Sequence, residues 1–279
     1  MANLKDSFSN YSKHNGDSNL RDSLAGLDSS NEGLDVLKQE YIPIIKGYEK
    51  EPGSIPSFLI VVISGGEVRE GDYLSELSKK QTFPKVKLIF KSSEKGKGGL
   101  SPMLMVRKFY ETIEMENPIK THKILYSSID KIFMVTDVDH YLNELVTILN
   151  RCQLPNATWI ISNPCFEIWL YYSYFDHICE EIKILESIPQ SKQSSTLKHL
   201  NHKMIDGGID PRKAFEQIEN AIQNSKSNYR EDKNGIPKLF CTNMHVMGEY
   251  IFEAIGQYDF EKWLDEQSKR IEAYRSRLK

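Results

Sequence analysis

Four short runs of β-branched and aromatic residues alternate with helically spaced stretches between residues 57 and 175. They are SFLIVVIS (57–64), KVKLIFKS (85–92), KIFMVTD (131–137) and ATWIISN (157–163). SFLIVVIS is apolar almost throughout, as a strand covered on both faces must be, whereas KVKLIFKS alternates. The intervening EGDYLSELSKK carries Tyr73, Leu74 and Leu77 at helical spacing. SPMLMVRKFYETIEMEN opens with Ser101 as an N-cap and Pro102 at the first helical position. HYLNELVTILNRC places Leu142, Leu145 and Leu149 on one side, and CFEIWLYYSYF follows Pro164. Strict β-α alternation predicts an α/β fold, a mostly parallel sheet flanked by helices.

The remaining segments set the organisation. Residues 1–30 are rich in Ser, Asn and Asp and read as a flexible N-terminal arm; 31–56 read as a helix and turn interrupted by Pro43. The α/β domain spans 57–175, and 176–279 reads as helices, forming either a cap or a second lobe. A net charge of −3 gives no global pull toward nucleic acid, so any basic surface is local. Cys152, Cys165, Cys179 and Cys241 show no CxxC spacing, which points to reduced thiols. No apolar run is long enough for a bilayer, and a cytoplasmic location without membrane contact is expected.

Ligands of open parallel sheets gather beyond the C-terminal ends of the strands. Those ends read SGGEVREGDY, TDVDH and SNPCFE. Asp137 and Asp139 lean the same way if the third strand runs through both. Together with Glu67 they would offer oxygen ligands to Mg²⁺ or Mn²⁺. The alternative is structural, with Asp139 capping the helix that starts at His140 and Asp137 facing water. Two adjacent glycines after the first strand make neither a P-loop nor a dinucleotide fingerprint. Glu167 lies in an otherwise apolar helix, either at its exposed start or buried and paired, and Asn163 is expected to cap that helix. KSSEKGKGGLSP, with Lys91, Lys95 and Lys97, suits phosphate contacts or is simply a solvated loop.

TDVDH followed by ISNPCFEIWLYY resembles the RloB-like family of bacterial proteins. EVREGDYLSEL, KGKGGLSPMLMVRK and CTNMHVMGEYI resemble further family segments in the same order, over residues 57–255. The resemblance implies a Toprim-like domain in bacterial anti-phage defence, often beside an ABC-type ATPase that holds or releases a toxic nuclease. Asp137 and Asp139 fill the family's Asp-x-Asp positions. The family's Cys-Glu-Gly-Glu is here Ser64-Gly65-Gly66-Glu67, so the glutamate expected at Gly65 is missing. Glu67 or Glu70 replaces it, Glu167 does so from the fourth strand's end, or the protein no longer cuts.

The leading expectation is a Mg²⁺-dependent nuclease cleaving RNA, tRNA included, in preference to DNA. Its catalytic residues would be Glu67, Asp137, Asp139 and Glu167, the first three being metal ligands. Arg69, Lys95 and Lys97 would grip substrate, with an ABC-type ATPase as partner and a homo-oligomer allowed. The rival expectations are a non-catalytic docking or sensor subunit and a small-molecule phosphotransferase or hydrolase.

Overall fold

The structure, a computed structural model, describes residues 58–79, 82–93, 98–113 and 129–277. The expected N-terminal arm and helix, and Lys95 and Lys97, lie outside these residues. Strands β1 (Phe58–Ser64), β2 (Val86–Lys91), β3 (Lys131–Asp137) and β4 (Ala157–Ser162) form one sheet in the order β2-β1-β3-β4. All three pairings are parallel, with Val62 opposite Phe133 and Asp137 opposite Ser162. This is the α/β architecture expected of a Toprim-like domain. The chain steps from β1 to β2 on one side and then returns past β1 to β3 on the other. The connections therefore part company between β1 and β3, and that crevice is where an open parallel sheet binds ligands. Central strands β1 and β3 are buried along most of their length, which explains their unbroken Val/Ile/Phe content.

Helices α1 (Arg69–Tyr73), α2 (Pro102–Ile113), α3 (Leu142–Arg151) and α4 (Glu167–Tyr172) follow the four strands in turn. EGDYLSELSKK is not one helix: α1 ends at Tyr73 and a 3₁₀ turn, Ser75–Ser78, follows. Tyr73, Leu74 and Leu77 are nonetheless all buried. Pro102 does open α2, but the carboxylate at its start belongs to Glu144 of α3. Glu144 accepts from both the Ser101 hydroxyl, at 2.9 Å, and the Met103 amide. The next helices are α5 (Glu180–Lys183), α6 (Gln190–Met204), α7 (Pro211–Phe215), α8 (Ile218–Asn228), α9 (Met244–Ile255) and α10 (Gln257–Arg277). The stretch DPRKAFEQIENAIQNSK folds as two helices, α7 and α8. Asp210 caps α7 by accepting from the Arg212 amide at 3.0 Å, with Pro211 in the first position.

The helical C-terminal region shares the sheet's hydrophobic core. Ile60, Val62, Phe133 and Val135 of the sheet belong to one cluster with Phe215, Met244, Met247, Phe260 and Trp263. Tyr73 meets Phe166, Trp169 and Phe215 edge to face, with ring centroids 5.3 to 6.1 Å apart. Among the described residues no helix is long and apolar enough to cross a membrane. All four cysteines are free thiols.

The segment before α9 closes the outer edge of β4, which would otherwise present unpaired backbone groups. Thr242 forms an antiparallel bridge with Ser162, and their hydroxyls lie 2.8 Å apart. The Asn243 side chain acts as a piece of backbone: Oδ1 accepts from Ile161 N at 2.6 Å and Nδ2 donates to Trp159 O at 3.0 Å. Asn163 is likewise a tether and not a helix cap. Its Nδ2 donates to Pro237 O at 2.7 Å, while α4 starts after Phe166 with no side-chain cap. Asn243→Ala removes both edge bonds and should lower the unfolding free energy by about 1–3 kcal/mol, read from urea denaturation.

Candidate functional site

The site starts from the two glycines after β1. Gly65 N donates to Val135 O at 2.7 Å, extending the β1–β3 ladder by one bond, and Gly65 O accepts from Leu100 N at 2.9 Å. A Cβ at Gly65 would lie 3.2 Å from Leu100 O, and one at Gly99 only 2.6 Å from Gly65 O. The loop after β2 is therefore seated directly on the end of β1. A Cβ at Gly66 would fall 2.2 Å from a carboxylate oxygen of Glu70. Lack of a side chain at 66 is what allows Glu70 to fold back over the strand end.

Three carboxylates collect at this crevice from separate elements. Asp137 is the last residue of β3, Glu70 lies in α1 and Glu167 is the first residue of α4. Glu70 and Glu167 are 6% and 3% exposed. Burial, reinforced by the Glu167 charge, pushes the Glu70 carboxyl up to about 7, although its own backbone amide, Lys198 and Arg69 pull the other way. Asp137 keeps some accessible surface, yet the protein packed round it pushes its carboxyl well above the ordinary range. Burial is the larger cause there, followed by the charges of Glu70, Glu167 and Asp139, with Lys198 opposing.

Glu167 is the paired member of the group. Its Oε1 lies 3.2 Å from Arg69 Nε and 3.9 Å from Lys198 Nζ. Its Oε2 accepts from the Cys165 thiol at 3.1 Å. Burial, with the Glu167 and Asp137 charges, holds that thiol well above its usual value, so it remains a donor. Asn201 Nδ2 donates to the Glu167 main-chain oxygen at 3.3 Å and ties the start of α4 to α6.

The expected residues do not all converge. Strand β3 stops at Asp137, so Asp139 lies in a turn and the alternation argument for a shared face does not reach it. Asp139 Oδ1 accepts from His140 N at 2.7 Å and Oδ2 from the Ser194 hydroxyl at 2.8 Å. Asp139 does not cap α3 either, because that helix starts at Leu142 after Tyr141. Glu67 is half-buried and has no hydrogen bond or ion pair among the described residues. Arg69 is brought in, through Glu167. Lys91 stands at the end of β2, its ammonium pushed below the usual range by burial and by Lys108. Lys198, Cys165 and Ser194 were not singled out by sequence reasoning. Lys198 and Ser194 lie in an ordinary polar helix, SSTLKHLNHKM, with no local mark of a site. Among the described residues no three His, Cys, Asp or Glu side chains close on a single metal position.

The raised Glu70 pKa sets a pH dependence that can be measured with EDTA present. A carboxyl whose folded pKa exceeds its unfolded one adds stability that is complete below about 4.5 and lost as pH rises through about 7. Glu70→Gln should therefore melt above the wild type at pH 8, with the difference closing at pH 4. A thermal-melt series across that range checks this.

No curated protein and no solved structure matches the chain. The protein-family model described as RloB-like protein matches residues 60–251. That span contains β2, β3, β4, β1 from Ile60 onward and every residue of the carboxylate cluster. With most of its length covered, and with the acidic strand end, the β4 tether and the buried Glu167 all inside the match, the chain belongs to the RloB-like protein family.

Proposed function

We propose that the carboxylate cluster is the reaction centre of a metal-dependent nuclease of bacterial anti-phage defence. It cleaves phosphodiesters, in RNA and tRNA before DNA, and an ABC-type ATPase partner controls it. The observation that carries this reading is the charge imbalance at the β1–β3 crevice. Among the described residues Glu70, Asp137 and Glu167 face only Arg69 and Lys198, and the Glu70 and Asp137 carboxyls, which have no ion pair there, are pushed upward by burial and neighbouring charge. A divalent cation relieves that repulsion as a proton does.

An all-oxygen donor set suits a hard cation, and Mg²⁺ is commonly held by one or two carboxylates with the remaining positions left to water and substrate phosphate. The cluster fits that mode and not a closed cage of side chains. Asp137 and Glu70 would hold the ion, with Asp139 behind them, fixed by Ser194. When bound, the ion would polarise the phosphodiester and sharpen the attacking water.

The chain's own groups supply the rest. Glu70 takes the place of the missing glutamate at Gly65, and a carboxyl that titrates near neutrality can hold or release a proton there. Lys198, whose side chain is 54% exposed, and Arg69 present positive charge to a substrate phosphate beside the cluster. Glu167 positions both cations.

A non-catalytic docking role is the second reading, and the empty glutamate position at Gly65 favours it. Calorimetry with Mn²⁺, followed by cleavage of RNA substrates, separates the two. Saturable binding in the wild type should be lost in Asp137→Asn and weakened by about tenfold or more in Glu70→Gln, and cleavage should follow the same order. Glu67→Gln should keep both. Cleavage and toxicity unchanged by Asp137→Asn with Asp139→Asn would sink the nuclease reading.

A further inference from the structure

Beside the carboxylates, beyond the ends of β3 and β4, lies a separate hollow of about 270 Å³. Val138, Leu142, Ile236 and Leu239 give it apolar walls, Asn163, Gln190 and Gln193 add three amides, and Asp232 and Lys238 bring one charge of each sign to its lining. The two sites share a partition. Val138 stands in the chain between Asp137 and Asp139, and Gln193 precedes the Ser194 that bonds Asp139 at 2.8 Å.

The amides are held in place by their NH₂ groups. Gln190 Nε2 donates to Val138 O at 3.2 Å, Asn163 Nδ2 to Pro237 O at 2.7 Å and Gln193 Nε2 to Leu185 O at 2.9 Å. Among the described residues no donor reaches the side-chain oxygens of these three. The hollow thus combines apolar walls with amide groups held in place, and through Val138 it adjoins the carboxylate cluster.

We propose that this hollow binds a single nucleobase, preferring those that carry an exocyclic amino group. Adenine, cytosine and guanine each bring N–H donors to the amide oxygens, whereas uracil presents carbonyls where the amino group would be. The proposal deepens the nuclease reading by giving the substrate a base-recognition subsite. The base belongs either to a polynucleotide strand or to a free nucleotide, and the two sources share this chemistry.

Binding is measured by calorimetry on the full chain in EDTA, so that no cleavage intervenes. The probes are AMP, CMP, GMP and UMP, and single-stranded hexaribonucleotides of each base. The amino-bearing nucleotides should bind about fivefold or more tightly than UMP. Leu142→Trp, which fills the hollow, should abolish binding of all four, and Gln190→Leu should erase the preference. Should Leu142→Trp fail to fold, survival or loss of the preference in Gln190→Leu decides. Equal affinity for the four nucleotides, no binding, or binding untouched by a folded Leu142→Trp overturns the proposal. A hexamer bound more tightly than its monomer places a strand's base in the hollow, and equal affinity places a free nucleotide there; both support it. Asp137→Asn keeps the two readings apart. Base preference that persists in this variant supports the hollow, even where cleavage proves independent of Asp137 and the nuclease reading falls.

Discussion

The Glu167 carboxylate at the start of α4 draws together groups from α1, α6 and the turn after β4. It meets Arg69 of α1, Lys198 of α6 and the thiol of Cys165, while its main-chain oxygen takes Asn201 of α6. A carboxylate so deeply buried is tolerable only when its lone pairs are occupied. The requirement in turn fixes where α1 and α6 approach the sheet, and with them Glu70 and Lys198. Loss of this one charge would leave Arg69 and Lys198 beside each other without a counter-ion between them.

Among the described residues Arg69 and Lys198 are the only cations paired with Glu70, Asp137 or Glu167. Parallel strands deliver Asp137 to the crevice between β1 and β3, and the glycine at 66 lets Glu70 fold onto the same place. Burial and mutual repulsion then drive both carboxyls upward. Such an arrangement lowers stability near neutral pH, as sites built for chemistry commonly do. The cost is carried by a continuous aromatic core linking Tyr73, Trp169, Phe215, Phe260 and Trp263, which packs the C-terminal helices onto the sheet.

The closed edge of β4 belongs to the same economy of structure. Thr242 and Asn243 bond the outer strand just before it reaches Asn163 and the hollow beside the carboxylates. The C-terminal region therefore contributes core and edge pairing, and through Ile236 and Pro237 it also forms part of the wall next to the site.

Unbroken apolar runs and their alternation with helical spacing are local properties, so SFLIVVIS and KIFMVTD could be read as central parallel strands from residues 57–64 and 131–137 alone. Asp137 was legible for the same reason, as the polar end of such a run. Asp139 was not, because whether a strand continues past its last apolar residue depends on pairing with β4, which ends opposite Asp137 at Ser162. The choice between Glu67 and Glu70 turned on how α1 folds back over Gly66, and the arrival of Lys198 on how α6 packs against α4. The sequence by itself determined the α/β class, the central strands and the acidic character of the third strand's end. Only the tertiary structure decided which carboxylates meet and which cations answer them, because convergence of side chains distant in sequence is set by packing between elements and leaves no local period to read.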